Sequence, residues 1–247
     1  MRIFLCVIFI FVSSMVISSG RADSVRSPLK VSGYVSMNRN GMAPIPSFSL
    51  GKPAIIAGFT LRKNRFSYDP QLSYSTEFKP WIIDNWLHYR LIQNKNFELR
   101  TGISSSAFFS GIETSEGKIW QCQRYGTLEL AGIFTLSGKS TLSMLAWYDK
   151  GFDKGTITGY IINLIADKPD ILIGRKLIAG INAQFFYLDY TQENDGLFLS
   201  PKIALNVKDI PFSIYFQCTQ ALVSNISPYP GFRWNAGAAF HFGTTGQ

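Results

Sequence analysis

From residue 29 to residue 242 the sequence alternates apolar and polar side chains at every second place, and helical spacing is almost nowhere found. Period two belongs to strands with two unlike faces. After the first two dozen residues no stretch approaches the ~18 uninterrupted apolar residues of a spanning helix. The last long run, 231–242, carries the pattern most clearly. Phe232, Trp234, Ala236, Ala238, Phe240 and Phe242 fall on one face; Arg233, Asn235, Gly237, Ala239 and His241 fall on the other. A soluble strand with one buried face could alternate in this way. Rings at both ends with small residues between them are what a strand crossing lipid would present.

Composition agrees with that reading. Charged residues make up 16% of the 247-residue chain, against about a quarter in ordinary soluble domains. Aromatics reach 15%, with 20 phenylalanines. A large apolar area must therefore be shielded without long apolar runs. Any part embedded in hydrocarbon must be β, because only a closed barrel leaves no backbone edge unpaired.

The first residues set the compartment. Arg2 opens an apolar stretch from Ile3 to Val12, followed by small and polar residues that end in Gly20, Arg21 and Ala22. These are the parts of a secretory signal peptide, expected over 1–22, with a single domain over 23–247. Its apolar core is shorter than the ~20 residues of an anchor helix. Cys6 lies inside that core, not just after it, which disfavours a lipidated cysteine. Cleavage after Ala22 removes Arg2 and Arg21 and lowers the net charge from +8 to +6. Export, and the absence of any Lys/Arg run longer than two, exclude nucleic acid as the expected partner. The remaining Cys122 and Cys218 are too few for a disulfide scaffold.

Twelve strands are expected, at 29–37, 53–62, 66–76, 81–92, 97–108, 119–135, 140–148, 156–166, 176–189, 197–207, 211–222 and 231–242. Short polar connections at 62–65, 93–96, 136–140 and 207–211 alternate with longer ones at 38–52, 110–118, 149–155, 191–196 and 224–231. Short turns at one rim and long loops at the other mark an outer-membrane barrel. Two segments break the rule. The link 77–80 is short where a loop is expected. The segment 167–175 is long where a turn belongs, and its Ile171, Leu172 and Ile173 suggest a short helix below the barrel.

Alternation also assigns faces. In 66–75, Phe66, Tyr68, Pro70, Leu72 and Tyr74 point outward and Ser67, Asp69, Gln71, Ser73 and Ser75 inward. In 97–107, Phe97, Leu99, Thr101, Ile103 and Ala107 oppose Glu98, Arg100, Ser104 and Ser106. In 199–207, Leu199, Pro201, Ile203, Leu205 and Val207 oppose Ser200, Lys202 and Asn206. Trp81, Trp120, Trp147 and Tyr148 fall near strand ends beside the longer connections, where headgroup-level girdles are expected. Two strands fit less well: Asn85 shares the outward face of 81–91 while Trp86 faces in, and 159–165 is nearly apolar on both faces.

Across 29–242 the chain resembles the Gram-negative outer-membrane β-barrel proteins as a class. The resemblance implies an all-β fold, a transmembrane antiparallel up-and-down barrel of about twelve strands in the outer membrane. Its partners would be outer-membrane lipid and the barrel-assembly machinery. Phe240 and Phe242 resemble the aromatic end of the final strand by which such barrels are handed to that machinery, although five residues follow here.

Little in the sequence points to catalysis. Outer-membrane phospholipases of the serine type carry the serine two residues after the histidine. Arg90 and Gly243 stand at that offset from His88 and His241. No His/Cys pair has metal-ligand spacing, and no metal or cofactor is expected. Residues 136–140 lack the upstream glycine of a phosphate loop. Cys122 and Cys218 are placed on the lipid face about five strands apart, too far for a disulfide. The interior remains. Arg62, Arg90, Arg100, Lys176, Lys202 and Arg233 are the candidate inward bases, Asp69, Asp84, Glu98 and Glu129 the inward acids, with His88 among them. They would either pair into a rigid filling or line a narrow pore for small polar or anionic solutes. The leading expectation is porin-like passage, or a structural or surface role through the loops. The alternatives are a barrel-embedded lipid hydrolase and a soluble exported β-protein that binds a ligand.

Overall fold

The computed structural model describes residues 28–43, 48–114, 117–190, 194–227 and 229–243. The signal-peptide expectation at 1–22 lies outside them. Twelve strands follow in chain order: β1 (Lys30–Asn38), β2 (Ala54–Lys63), β3 (Phe66–Ser75), β4 (Pro80–Gln93), β5 (Phe97–Thr114), β6 (Gly117–Thr135), β7 (Thr141–Gly151), β8 (Thr158–Ile173), β9 (Leu177–Asp189), β10 (Asp195–Val207), β11 (Phe212–Ser224) and β12 (Phe232–Gly243). Each pairs antiparallel with its sequence neighbours, and β1 closes on β12 with Val35 opposite Phe240. The sheet has no free edge, so every strand has a partner on both sides.

The expected strands are all present. At one rim, called here the turn rim, the connections are tight. Asn64 takes a left-handed φ of 53°, a conformation that Asn tolerates better than most residues. A short 3-10 turn over Ser137–Lys139 joins β6 to β7. At the opposite, loop rim the β1–β2, β7–β8 and β11–β12 connections are longer, while β3–β4 and β5–β6 are joined by short links.

Two connections differ from expectation. Residues 110–118 are not a loop: β5 and β6 stay paired out to Thr114 opposite Gly117. Beyond Phe108, the last β5 residue paired with β4, the hairpin continues for ~20 Å of paired strand at ~3.4 Å per residue, and Lys79 of the β3–β4 connection lies 5.7 Å over its Trp120 ring. Residues 167–175 contain no helix. β8 runs on to Ile173, paired with Leu177 of β9, and a register shift between Lys168 and Ile171 takes up Pro169. Proline cannot donate to the ladder, so a bulge is where a strand accommodates it. The β-branched Ile171 and Ile173 then resume the ladder, and Lys139 of the neighbouring turn pairs with Asp170 at 3.2 Å.

Burial alternates along the strands as the faces require. Ile103, Leu128, Leu130, Met144, Ile203 and Phe216 are exposed outward, whereas Ser67, Ser73, Ser143, Ser200, Ser213 and Asn235 are buried. Large apolar side chains outside and small polar ones inside invert a soluble protein's arrangement. Asn85 fits the lipid face because the Tyr68 hydroxyl donates to its Oδ1 at 2.8 Å. The doubly apolar segment of β8 is explained too. Ile161 packs inside the barrel with Phe186, Leu188 and Phe198, while Tyr160, Ile162 and Leu164 face out.

The girdle assignment needs correction. Tyr148 and Trp120 are exposed, but Trp81 is 2% exposed and turned inward, and Trp147 also faces in. Neighbours in a strand point to opposite faces, so Trp147 and Tyr148 cannot both face lipid.

Candidate functional site

The interior has three regions. On the turn side, β3 to β7 hold a row of cross-strand neighbours: Ser67 opposite His88, His88 opposite Gly102, Gly102 opposite Glu129, and Glu129 opposite Trp147. Gly102 makes the row possible. A Cβ there would come within 2.5 Å of His88 Cδ2, so only glycine lets the imidazole reach across the intervening strand. His88 Nδ1 lies 2.7 Å from Asp69 Oδ2 and its Nε2 lies 3.4 Å from Glu129 Oε1. Arg100 Nε donates to Glu129 Oε1 at 2.9 Å, and Trp147 Nε1 donates to its Oε2 at 2.7 Å. Ser67 donates to Asp69 at 2.8 Å. Beside this network Arg90 pairs with Glu98 at 3.6 Å and lies within electrostatic reach of Arg62. The interior charges of this region are thus largely paired, with two remainders: Arg62 Nε and Arg90 Nη2 are buried with no hydrogen-bond partner among the described residues.

The second region is a polar cavity of about 530 Å³, walled mainly by β8 to β12 and β1. Lys202 projects over the Tyr215 ring at 4.2 Å, Asp167 accepts from Asn182 at 3.1 Å, and the Tyr215 hydroxyl donates to Asn38. His241 also lines it, with its Nε2 3.0 Å from Ser213 Oγ. That serine comes from the neighbouring strand, where no offset within one strand could reveal it. Among the described residues His241 has no carboxylate partner, so the pair lacks the group that orients a catalytic imidazole.

The third region is an aromatic cavity of about 320 Å³ at the loop side. Part of its cover comes from Ala43 and Phe48 of the β1–β2 connection. Trp81 Nε1 donates to the Phe48 carbonyl at 2.8 Å, and the Phe48 and Phe108 rings stack at 4.4 Å. Gly41 and Lys52 close the base of this connection with a 2.7 Å backbone hydrogen bond. The cavity is lined by Trp81, Trp86, Tyr125 and Trp147 with Asp84 and Asp149. Ile56 lines both this cavity and the 530 Å³ one, so the two adjoin.

The candidates read from the sequence therefore separate. Asp69, His88, Arg90, Glu98, Arg100 and Glu129 gather on the turn side with Arg62 beside them. Asp84 lies alone among them in the aromatic cavity, and Lys202 sits in the 530 Å³ cavity. Arg233 stands near the loop rim, its Nε donating to the Pro230 carbonyl at 3.3 Å. Lys176 lies in the turn between β8 and β9 and is exposed. Phe240 is exposed on the outer face, and Phe242 packs against Phe59 at 5.8 Å. Asp149 and Asp167 were not among the candidates. Asp149 could have been found from parity, since it keeps phase with Ser143 and Leu145 in β7.

Cys122 and Cys218 are free thiols on β6 and β11. Among the described residues no group of three His, Cys, Asp or Glu side chains is placed to hold a metal ion. At the loop rim Arg124 grips Asp153 of the β7–β8 connection at 2.6 Å. That side-chain hydrogen bond, joined by one from the Arg124 backbone N–H, holds the Asp153 carboxyl below its usual range.

No protein-family model matches the sequence, and no curated protein matches it. Solved structures do share its fold. The KdgM porin aligns with a TM-score of 0.52 at 12% identity, over 85% of this chain and 99% of that one. The same porin in complex with disordered oligogalacturonate aligns at 0.51, with 12% identity over 86% and 99%. An outer membrane channel from Pseudomonas putida F1 aligns at 0.52 with 10% identity, over 92% of this chain and all of that one. At such identities the likeness is one of fold: the chain is a closed barrel of the outer-membrane type.

Proposed function

We propose that the protein is an outer-membrane channel that lets small polar solutes pass through its interior. The carrying observation is the pair of adjoining cavities, about 320 and 530 Å³, inside a closed barrel whose outer face is apolar. Porins and an outer membrane channel among the structural neighbours support this reading. The signal peptide over 1–22 and the Phe240/Phe242 strand end fit delivery to the outer membrane of a Gram-negative cell. Arg62, Asp69, Asp84, His88, Arg90, Glu98, Arg100, Glu129, Lys202 and Arg233 are the interior groups a solute would meet, together with Asp149 and Asp167.

Charges of both signs line this path. The basic cluster of Arg62, Arg90 and Arg100 favours anionic solutes near the turn rim, as the oligogalacturonate complex of the KdgM porin also suggests. The aromatic cavity at the loop rim has the opposite character. A lipid-hydrolase reading would rest on Ser213 and His241. It is less favoured because Ser213 is buried inside the barrel, away from acyl chains. A surface role draws support from the β5–β6 hairpin, which runs on past its last pairing with β4.

Planar-bilayer recording of the refolded mature protein tests the proposal. Discrete, ohmic current steps are expected. A protein that inserts into the bilayer but stays silent would overturn passage and leave the surface role.

A further inference from the structure

We infer that the aromatic cavity at the loop end is a binding site for a small organic cation, an ammonium or guanidinium group on an apolar body. The inference names a solute class for the proposed passage and rests on that reading only in needing a barrel open at its loop end. No through-going path is required.

The barrel's other interior acids mostly have a basic partner, and Asp167, which accepts from Asn182 at 3.1 Å, shares its cavity with Lys202. Asp69 has His88 at 2.7 Å, Glu129 has Arg100 at 2.9 Å, and Glu98 has Arg90 at 3.6 Å. Asp84 and Asp149 are exceptions. They line one cavity, and among the described residues no Lys, Arg or His lines it with them. They lie close enough to repel one another. Their hydrogen bonds come from neutral hydroxyls, Thr127 to Asp149 at 2.6 Å and Ser106 to Asp84. Two carboxyls this close either share a counter-charge or give up ionisation, and among the described residues no cationic side chain lines the cavity to supply the counter-charge.

A second observation points independently to a ligand. Tyr190 also lines this cavity, is 4% exposed, and its hydroxyl is buried with no hydrogen-bond partner among the described residues. Buried hydroxyls are normally paired, so this one is available to accept from a bound molecule.

The remaining lining specifies the body of that molecule. Indole and phenol faces attract cations through their ring quadrupole. Trp147 is fixed by donating to Glu129 at 2.7 Å and Trp81 by donating to the Phe48 carbonyl at 2.8 Å. Their N–H groups are thereby used elsewhere. A volume of about 320 Å³ lies at the small end of the roughly 300–1,000 Å³ of small-molecule sites. It suits one amine-bearing molecule and not a polymer.

Intrinsic tryptophan fluorescence of the refolded mature barrel in detergent provides the readout, since Trp81, Trp86 and Trp147 line the cavity. The probes are choline chloride, glucose and sodium acetate. Choline is expected to give a saturable change that glucose and acetate do not reproduce. The Asp84→Asn/Asp149→Asn double variant should bind choline at least roughly tenfold more weakly while keeping its heat-modifiable migration on gels. If the double variant loses that migration, Asp149→Asn alone carries the comparison. The inference is overturned by no saturable response, by an equal response to glucose, or by undiminished binding in the folded variant. Choline binding without bilayer current would sink passage and leave the site. Current without a choline response would sink the site and leave passage.

Discussion

At the scale of single residues, Glu129 holds the interior together. Its side chain is 2% exposed and receives Arg100 at 2.9 Å, with His88 at 3.4 Å. Removing it leaves a guanidinium and an indole N–H without acceptors inside the wall. Breaking a buried ion pair from one side costs about 3–5 kcal/mol. Glu129→Ala should therefore lower unfolding stability by that order in urea titration of the lipid-embedded protein, with Glu129→Gln milder. The Arg124–Asp153 clasp makes a different prediction because it is exposed. A carboxyl held below its ordinary value, ~3.9 when unfolded, contributes stability above that value and loses it as pH falls through the folded one. The clasp is accordingly constant from neutral pH down to about pH 5 and opens only in acid. NMR titration should find Asp153 below the ordinary carboxylate range, and Arg124→Gln should return it there.

At the scale of elements, the positions of the strands were legible because period two survives wherever one face meets lipid. What misled was locally ambiguous. Ile171, Leu172 and Ile173 after a proline look like a new element, but a single bulge lets β8 continue through Pro169. Trp147 beside Tyr148 looks like a girdle, yet a strand can offer only one of two neighbours to lipid. Parity would have turned Trp147 inward and carried Asp149 with it. Close packing between strands was not legible. Gly237 of β12 lies opposite Tyr215 of β11, and a Cβ on it would come within 2.6 Å of the tyrosine ring and 2.7 Å of the Met37 carbonyl. Gly237→Val should displace Tyr215 from the wall. Overpacking of this kind costs about 1–3 kcal/mol, read as a lower urea midpoint and a lower temperature for loss of fast gel migration.

At the scale of the whole molecule, alternation tells which face a residue takes but not its height along the barrel. Height depends on strand stagger and tilt. That is why Asp84 and Glu129, both assigned inward, occupy separate regions, and why no sequence signal joined Asp84 to Asp149. The approach of Ala43 and Phe48 to the interior was equally hidden, since loops have no period. What remains common to every scale is the orientation of the wall: apolar side chains against acyl chains, polar ones around an enclosed interior. Adjacent residues of β5 test it directly. Ile103 is 55% exposed on the outer face, and Ser104 bonds inward to Ser106 at 3.4 Å. With Cys122 and Cys218 replaced by alanine, nitroxides on Ile103→Cys and on Ser104→Cys can be compared by electron-spin power saturation in lipid vesicles. The account predicts that oxygen, which concentrates in the acyl layer, relaxes the label at 103, while a water-soluble nickel chelate relaxes the label at 104. Equal access of the chelate to both, or the reverse pattern, would contradict it.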